Sequence, residues 1–222
     1  SSSLFRLHFV SDEGKFKHAQ NGAGSVALLV FCRCRSVCCK QLVCYKRCCF
    51  HLKNNGPGMF TLRDFQFHDT QRLVEILNDS DVTAFLSTKI PQPYTKADAL
   101  WWVEVGSKSG LIKAITVNDE LVGCIGVNRG EFEYERSAEI GCWLAQAHWR
   151  KGIMLGAIEQ LVEDVFTNTN IVRIFANVFS PNDASKQLLL KAGFQQEGVL
   201  KHAIFKQGAI YDCHLFSKLK NS

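Results

Sequence analysis

The stretch Ile140–Ala157, IGCWLAQAHWRKGIMLGA, constrains this chain more than any other. Five residues, Ile140 to Leu144, read as a buried strand. A short loop follows, and a helix is entered through Arg150-Lys151-Gly152. Ile158, Leu161, Val162, Val165 and Phe166 then recur at i, i+3, i+4, i+7 and i+8, the spacing of one apolar helix face. The first turn of that helix holds a glycine and two cations but no acidic cap. A helix start presents unpaired N–H groups and the positive end of the macrodipole, so an uncapped one can cradle an anion. Gly152 lets a phosphate approach the backbone, and Arg150 and Lys151 add charge.

Two strings carry a resemblance: AEIGCWLAQAHWRKGIMLGAIEQLV and, further on, VRIFANVFSPNDASKQLLLKAGFQQEG. Together and in this order they resemble the GNAT superfamily of acetyl-CoA-dependent N-acetyltransferases, in the branch typified by the RimJ and RimL ribosomal-protein N-terminal acetyltransferases. The resemblance spans about Met59 to Leu219. It implies an α/β (α+β) GNAT fold: a mixed, mostly antiparallel sheet with a central splayed parallel strand pair and helices on both faces.

The rest of the chain is consistent with such a fold. Phe60–Arg63 reads as a first strand, and Asp69 as the cap of a helix with Leu73, Ile76 and Leu77 on one face. Val82, Phe85 and Leu86 repeat that spacing, and Pro91-Gln92-Pro93-Tyr94 enforces an extended loop. Thr95 and Asp98 form a capping-box pattern for a helix expected to turn Ala97, Leu100, Trp101 and Val105 inward. Strands over Leu111–Val117 and Leu121–Val127 flank a turn at Asn118-Asp119-Glu120, with Gly123 and Gly126 marking a bulge or close backbone contact. Strands over 138–144 and 172–178 follow, then a helix over 182–192 ended by Gly193, and a final antiparallel pair around Lys206-Gln207-Gly208.

Charge and cysteine are unevenly spread. Residues 1–58 hold nine Lys/Arg against two Asp/Glu, and the remainder seventeen against nineteen. The remainder is thus slightly acidic, which argues against a nucleic-acid surface. Residues 1–58 also hold seven of the ten cysteines. Four readings of this segment stand side by side. The apolar run Ala23–Cys32 is a signal or anchor, although it is short of the roughly 20 residues a membrane helix needs. The string CRCRSVCCKQLVCYKRCC binds metal, although no C-x-x-C pair occurs in it and its basic residues would compete with a cation. Its cysteines form disulfides, against which adjacent pairs and an odd number weigh. The favoured reading takes 1–58 as a Cys-rich basic segment outside the functional domain, Gly56-Pro57-Gly58 as a linker, and 59–222 as the acetyltransferase domain.

The resemblance assigns roles to individual residues. Trp143 and Leu144 would offer backbone groups to the pantetheine arm, and the amides of Arg150, Lys151, Gly152, Ile153, Met154 and Leu155 would hold the pyrophosphate. Met154 departs from the family's usual Gly or Ala, leaving less room nearby. Asn177 and Asn182 join the cofactor-binding set, with helix capping as Asn182's alternative role. Many family members carry a Tyr that protonates the leaving thiolate. Leu189 stands at that position here, and Ser185, one turn earlier, takes the role by analogy with the RimL-like branch; a helix Ser bonded to its own backbone is the alternative. Glu139 is the candidate general base, or else a structural acceptor. Tyr94, Tyr211 and Asp212 line the acceptor side. Cys124, Cys142 and Cys213 read as buried thiols.

The implied activity is an acetyl-CoA-dependent N-acetyltransferase, an acyltransferase that moves acetyl to a primary amine by direct attack in a ternary complex. Its acceptor would be a protein N-terminus or a small amine. The alternative is an acetyl-CoA-binding sensor without turnover. Acetyl-CoA is the cosubstrate and no metal is expected. The resemblance further implies a cytoplasmic monomer or homodimer with no nucleic-acid or membrane partner.

Overall fold

A short first strand, two hairpins and one strand–helix–strand unit build the sheet. In the computed structural model, which describes residues 60–220, seven strands form it. They are β1 (Thr61–Arg63), β2 (Leu111–Val117), β3 (Glu120–Arg129), β4 (Ser137–Leu144), β5 (Arg173–Phe179), β6 (Gln195–Lys206) and β7 (Ala209–Leu219), in the order β1-β2-β3-β4-β5-β7-β6. Every neighbouring pair is antiparallel except β4 with β5. The helices are α1 (Thr70–Leu77), α2 (Ser80–Thr83), α3 (Lys96–Glu104), α4 (Ile153–Asn168) and α5 (Asp183–Lys191). The expectations on residues 1–58, and the boundary after them, lie outside the described residues.

Turn chemistry accounts for both hairpins. Asn118 and Asp119 take φ of 50° and 65°, and Gln207 and Gly208 take 49° and 81°. Successive positive φ values match the right-handed twist of the flanking strands, and Asn, Asp and Gly tolerate them. Gly126 faces the neighbouring strand so closely that a Cβ there would lie 2.8 Å from Ile112 Cγ1, so its place in β3 is a matter of backbone approach.

β3 is buried almost continuously from Leu121 to Val127, because both faces of the sheet are covered. On one face Ile112, Ala114 and Cys124 pack with Leu73 and Leu77 of α1, Ala99 and Val103 of α3, and Phe65 and Tyr94. By strand alternation Ile125, Val127, Ile140 and Ile174 point to the other face, and all four are buried. There α4 contributes Ile158, Leu161, Val162 and Val165, all buried, as its apolar spacing predicts.

Two local expectations are corrected. Thr95 and Asp98 do form the capping box, but α3 turns Ala99, Trp102 and Val103 inward while Trp101 and Val105 stay 40% and 54% exposed. The segment is apolar on nearly every side, so its sequence carries no direction, and the contact with α1 chooses the face. Asp69 precedes α1 without capping it. Its carboxylate, buried, instead accepts from Gln66 N at 2.8 Å and bidentately from the partly buried Arg63 guanidinium at 2.7 and 2.8 Å.

Candidate active site

The site begins where β4 and β5 separate. Only Ser137↔Arg173, Ala138↔Ile174 and Glu139↔Phe175 are paired, so from Ile140 and Ala176 onward a gap opens between the two strands. Hydrogen-bond parity fixes which backbone groups face it. Gly130 N donates to Ser137 O, and Ala145 N to Val122 O, so odd-numbered residues of β4 bond to β3. The backbone groups of Cys142 and Leu144 therefore face the gap, and those of Trp143 are committed to Cys124. This corrects the expectation for Trp143 by one residue and leaves Leu144 in place. Leu144 O is already taken by Trp149 Nε1 at 2.7 Å, so Leu144 offers its N–H. On the other side Ser180 N donates to Asp212 O and Lys220 N to Val172 O, so even-numbered β5 residues bond to β7. Asn177 and Phe179 thus turn their backbone groups to the gap.

Beyond β4 the chain enters α4 through the turn read from the sequence as a candidate anion cradle. Gly152, at φ +79°, is the N-cap of α4 and no side chain caps the helix. The first intrahelical bond runs from Gly156 N to Gly152 O at 3.1 Å, leaving the N–H groups of Ile153, Met154 and Leu155 without helix partners. Arg150 also sits in the left-handed region, at φ 58°. For a residue with a Cβ that conformation costs about 1–2 kcal/mol. Left-handed residues at 150 and 152 around Lys151 curve the backbone into a concavity that suits an anion. Among the described residues neither Arg150 nor Lys151 forms an ion pair, and both are exposed. Met154 is 9% exposed and points into the core with Ile153, so it takes no room from the cradle, contrary to expectation.

Glu139 lies at the root of the gap. Its carboxyl accepts from Asn177 Nδ2 at 2.8 Å, and Asn177 Oδ1 accepts from Cys213 Sγ at 3.4 Å. Burial pushes Glu139 up from an ordinary 4.5 to about 7, against the opposing pull of the Asn177 hydrogen bond. Such a carboxyl exchanges its proton near neutral pH. The Asn177 side chain is therefore occupied in holding Glu139, and only its backbone is turned to the gap.

Asn182 is the N-cap of α5, its Oδ1 accepting from Ser185 N at 3.1 Å. Ser185 occupies the first turn of that helix, and its hydroxyl has no hydrogen-bond partner among the described residues, so it is not spent on its own backbone. No hydrogen bond joins Ser185 to Glu139. Tyr94 is 6% exposed within the core beside Leu73 and Leu77, and its backbone pairs with the Asn78 side chain. It packs the wall from behind instead of lining the acceptor side. Asp212 turns away as well: its carboxylate accepts from His202 N and Lys201 Nζ, both at 2.9 Å, and pins the bulge opposite it in β6. Tyr211 stays on the Glu139 face, its ring centroid 5.7 Å from that of Phe179.

Among the described residues Cys124, Cys142 and Cys213 are unpaired thiols. Burial raises the Cys142 thiol to about 12. The Cys142 backbone, Trp149 and Phe179 are not among the site residues the sequence points to. Strand alternation carried the signal for Cys142; nothing local marked the other two. Among the described residues no group of three or more His, Cys, Asp or Glu could hold a metal ion, and no helix is long and apolar enough to cross a membrane.

Comparison with known proteins agrees with this geometry. A family model described as "Acetyltransferase (GNAT) domain" matches residues 60–195. The chain is 31% identical over 166 residues to the uncharacterized N-acetyltransferase YoaA of Bacillus subtilis, covering 72% of this chain and 92% of that protein. It is 35% identical over 104 residues to the ribosomal-protein-serine acetyltransferase of Escherichia coli, covering 47% of this chain and 58% of the relative. Among solved structures, RimL in complex with coenzyme A superposes with a TM-score of 0.66 at 20% identity, over 74% of this chain and 95% of RimL. The microcin self-immunity acetyltransferase MccE, solved with acetyl-CoA and AMP, gives 0.65 at 23% identity, over 74% and 93%. The chain belongs to the GNAT family of acetyltransferases.

Proposed function

We propose that this acyltransferase carries acetyl from acetyl-CoA to a primary amine by direct attack within a ternary complex. The observation that carries the reading is a buried carboxyl at the root of a splayed strand pair whose far end leads into an uncapped, cationic helix start. The pyrophosphate would rest on the amides of Gly152 to Leu155, with Arg150 and Lys151 at the rim. The pantetheine arm would pair with the Cys142 and Leu144 backbone on one side and Asn177 on the other, and the spare Nδ2 of Asn182 would reach it from α5. The Leu144 N–H would bond the thioester carbonyl oxygen as charge develops on it. Glu139 would take a proton from the incoming ammonium. The neutral nitrogen then bonds to the carbonyl carbon, the C–S bond breaks, Ser185 Oγ–H donates to the departing thiolate, and the nitrogen's remaining extra proton passes through solvent to the Ser185 oxygen, leaving the neutral amide.

The test is thiol release from acetyl-CoA with a panel of primary amines and N-terminal peptides, with the acetylated product identified by mass. Calorimetric titration of acetyl-CoA accompanies it. A Cβ on Gly152 would meet nothing within 4 Å, so Gly152→Val makes no steric clash, but at φ +79° it strains the cradle's left-handed turn. Acetyl-CoA affinity is expected to fall at least tenfold, in line with the loss of one charge-assisted hydrogen bond worth about 1.5–3 kcal/mol. Unchanged affinity removes the cradle assignment, and no thiol release with any acceptor removes the transfer.

A further inference from the structure

One row of side chains on Glu139's face of the sheet is used neither by the cradle nor by the gap. Phe179 follows Asn177 on that face of β5, and Tyr211 follows Cys213 on that face of β7. Phe85, from the end of α2, completes the row: the ring centroids of Phe85 and Phe179 are 5.8 Å apart, and those of Phe179 and Tyr211 5.7 Å. All three rings are partly exposed. Three tilted aromatic faces beside a carboxyl are a surface that takes a flat apolar body with an amine at one end.

The row is held rigid from an unexpected direction. Lys206, at the end of β6, is only 9% exposed. Its Nζ donates to Thr83 O, Ala84 O and Leu86 O, each at 2.8 Å. These carbonyls bracket Phe85, so one ammonium fixes the backbone on both sides of that residue and the ring remains on Phe179. The same ammonium lies 5.8 Å from the Phe179 centroid. The row itself carries no carboxylate, and its one near cation is positive, so a second ammonium on the acceptor would meet repulsion there.

We propose that the acceptor is a primary amine carried on a single aromatic body and bearing no second cation, seated on Phe85, Phe179 and Tyr211 with its nitrogen toward Glu139. The assignment rests on the amine-transfer reading above, but its test does not require turnover. Full-length protein saturated with coenzyme A is titrated calorimetrically with 2-phenylethylamine, n-butylamine and spermidine. 2-Phenylethylamine is expected to bind about tenfold more tightly than the other two, the size of an aromatic contact of about 1.4 kcal/mol. Phe85→Ala, at a partly exposed position, is expected to abolish the difference. Lys206→Met, which frees the Phe85 loop, is expected to reduce it while coenzyme A affinity stays the same. Phenylalanyl-glycyl-glycine amide separates the sources: tighter binding than 2-phenylethylamine identifies a peptide N-terminus, and weaker binding a free amine. Spermidine binding as tightly as 2-phenylethylamine, no binding by any amine, or a preference that survives Phe85→Ala overturns the proposal. Selective binding without thiol release leaves this surface standing and refutes amine transfer alone.

Discussion

Replacing Glu139 with glutamine separates a catalytic proton acceptor from a structural one, because burial gives each role its own dependence on pH. The carboxyl moves from an ordinary 4.5 to about 7 on folding, mainly through desolvation. At about 1.36 kcal/mol per pH unit, that difference corresponds to about 3 kcal/mol. The sign follows from proton linkage. Between 4.5 and 7 the folded protein binds the Glu139 proton and the unfolded chain does not, so this group's contribution to stability falls as pH rises through that window. It is favourable below 4.5 and lost above 7. The amide of the Glu139→Gln variant retains an oxygen for Asn177 Nδ2 but has no proton to lose. Urea denaturation of both proteins at about pH 5 and about pH 8 is therefore expected to show the variant gaining relative to the parent at the higher pH, by up to about 3 kcal/mol. Other titrating groups cancel in the difference. In activity, the parent's kcat/KM is expected to rise through an apparent pKa near 7. The variant is expected to be lower by about 10²–10⁴-fold and to lack that limb. A variant whose stability follows the parent's at both pH values refutes the buried, proton-binding carboxyl. An unchanged activity profile refutes its role as the base.

Three further outcomes follow from the geometry. Ser185→Ala is expected to lower kcat about 10²-fold with kcat/KM falling equally and acetyl-CoA affinity unchanged, because its hydroxyl would act only on the departing thiolate; a loss confined to cofactor affinity makes it a binding residue. Gly126→Ala is expected to destabilise the domain by about 1–3 kcal/mol in urea melts, because the new Cβ would stand 2.8 Å from Ile112 Cγ1 and 3.0 Å from Leu111 O; unchanged stability shows that the hairpin shifts freely. A chain beginning at Met59 is expected to fold and to bind acetyl-CoA with the full chain's affinity. Insolubility or lost binding makes residues 1–58 integral.

The sequence by itself determined what adjacent residues can settle. The capping box at Thr95 and Asp98, the left-handed turn at Asn118-Asp119, the apolar face of α4 and the uncapped entry at Gly152 all depend on conformational preferences within one turn or one hairpin. The strand–helix–strand order and the family followed from them. The tertiary structure decided which polar group meets which. Glu139 is titratable near neutrality only because the packed sheet desolvates it, against the opposing pull of Asn177, 38 residues away on the next strand. The register of β4 against β3 turned the Cys142 backbone, and not that of Trp143, toward the gap. Asp69 left α1 for Arg63, and the direction of α3 was chosen by its neighbours. The Lys206 ammonium found three carbonyls more than 100 residues earlier in the chain. Propensity acts over a few residues, whereas desolvation and partner choice act through space, so only the packed sheet could set the charge, rigidity and chemical character of the acceptor side.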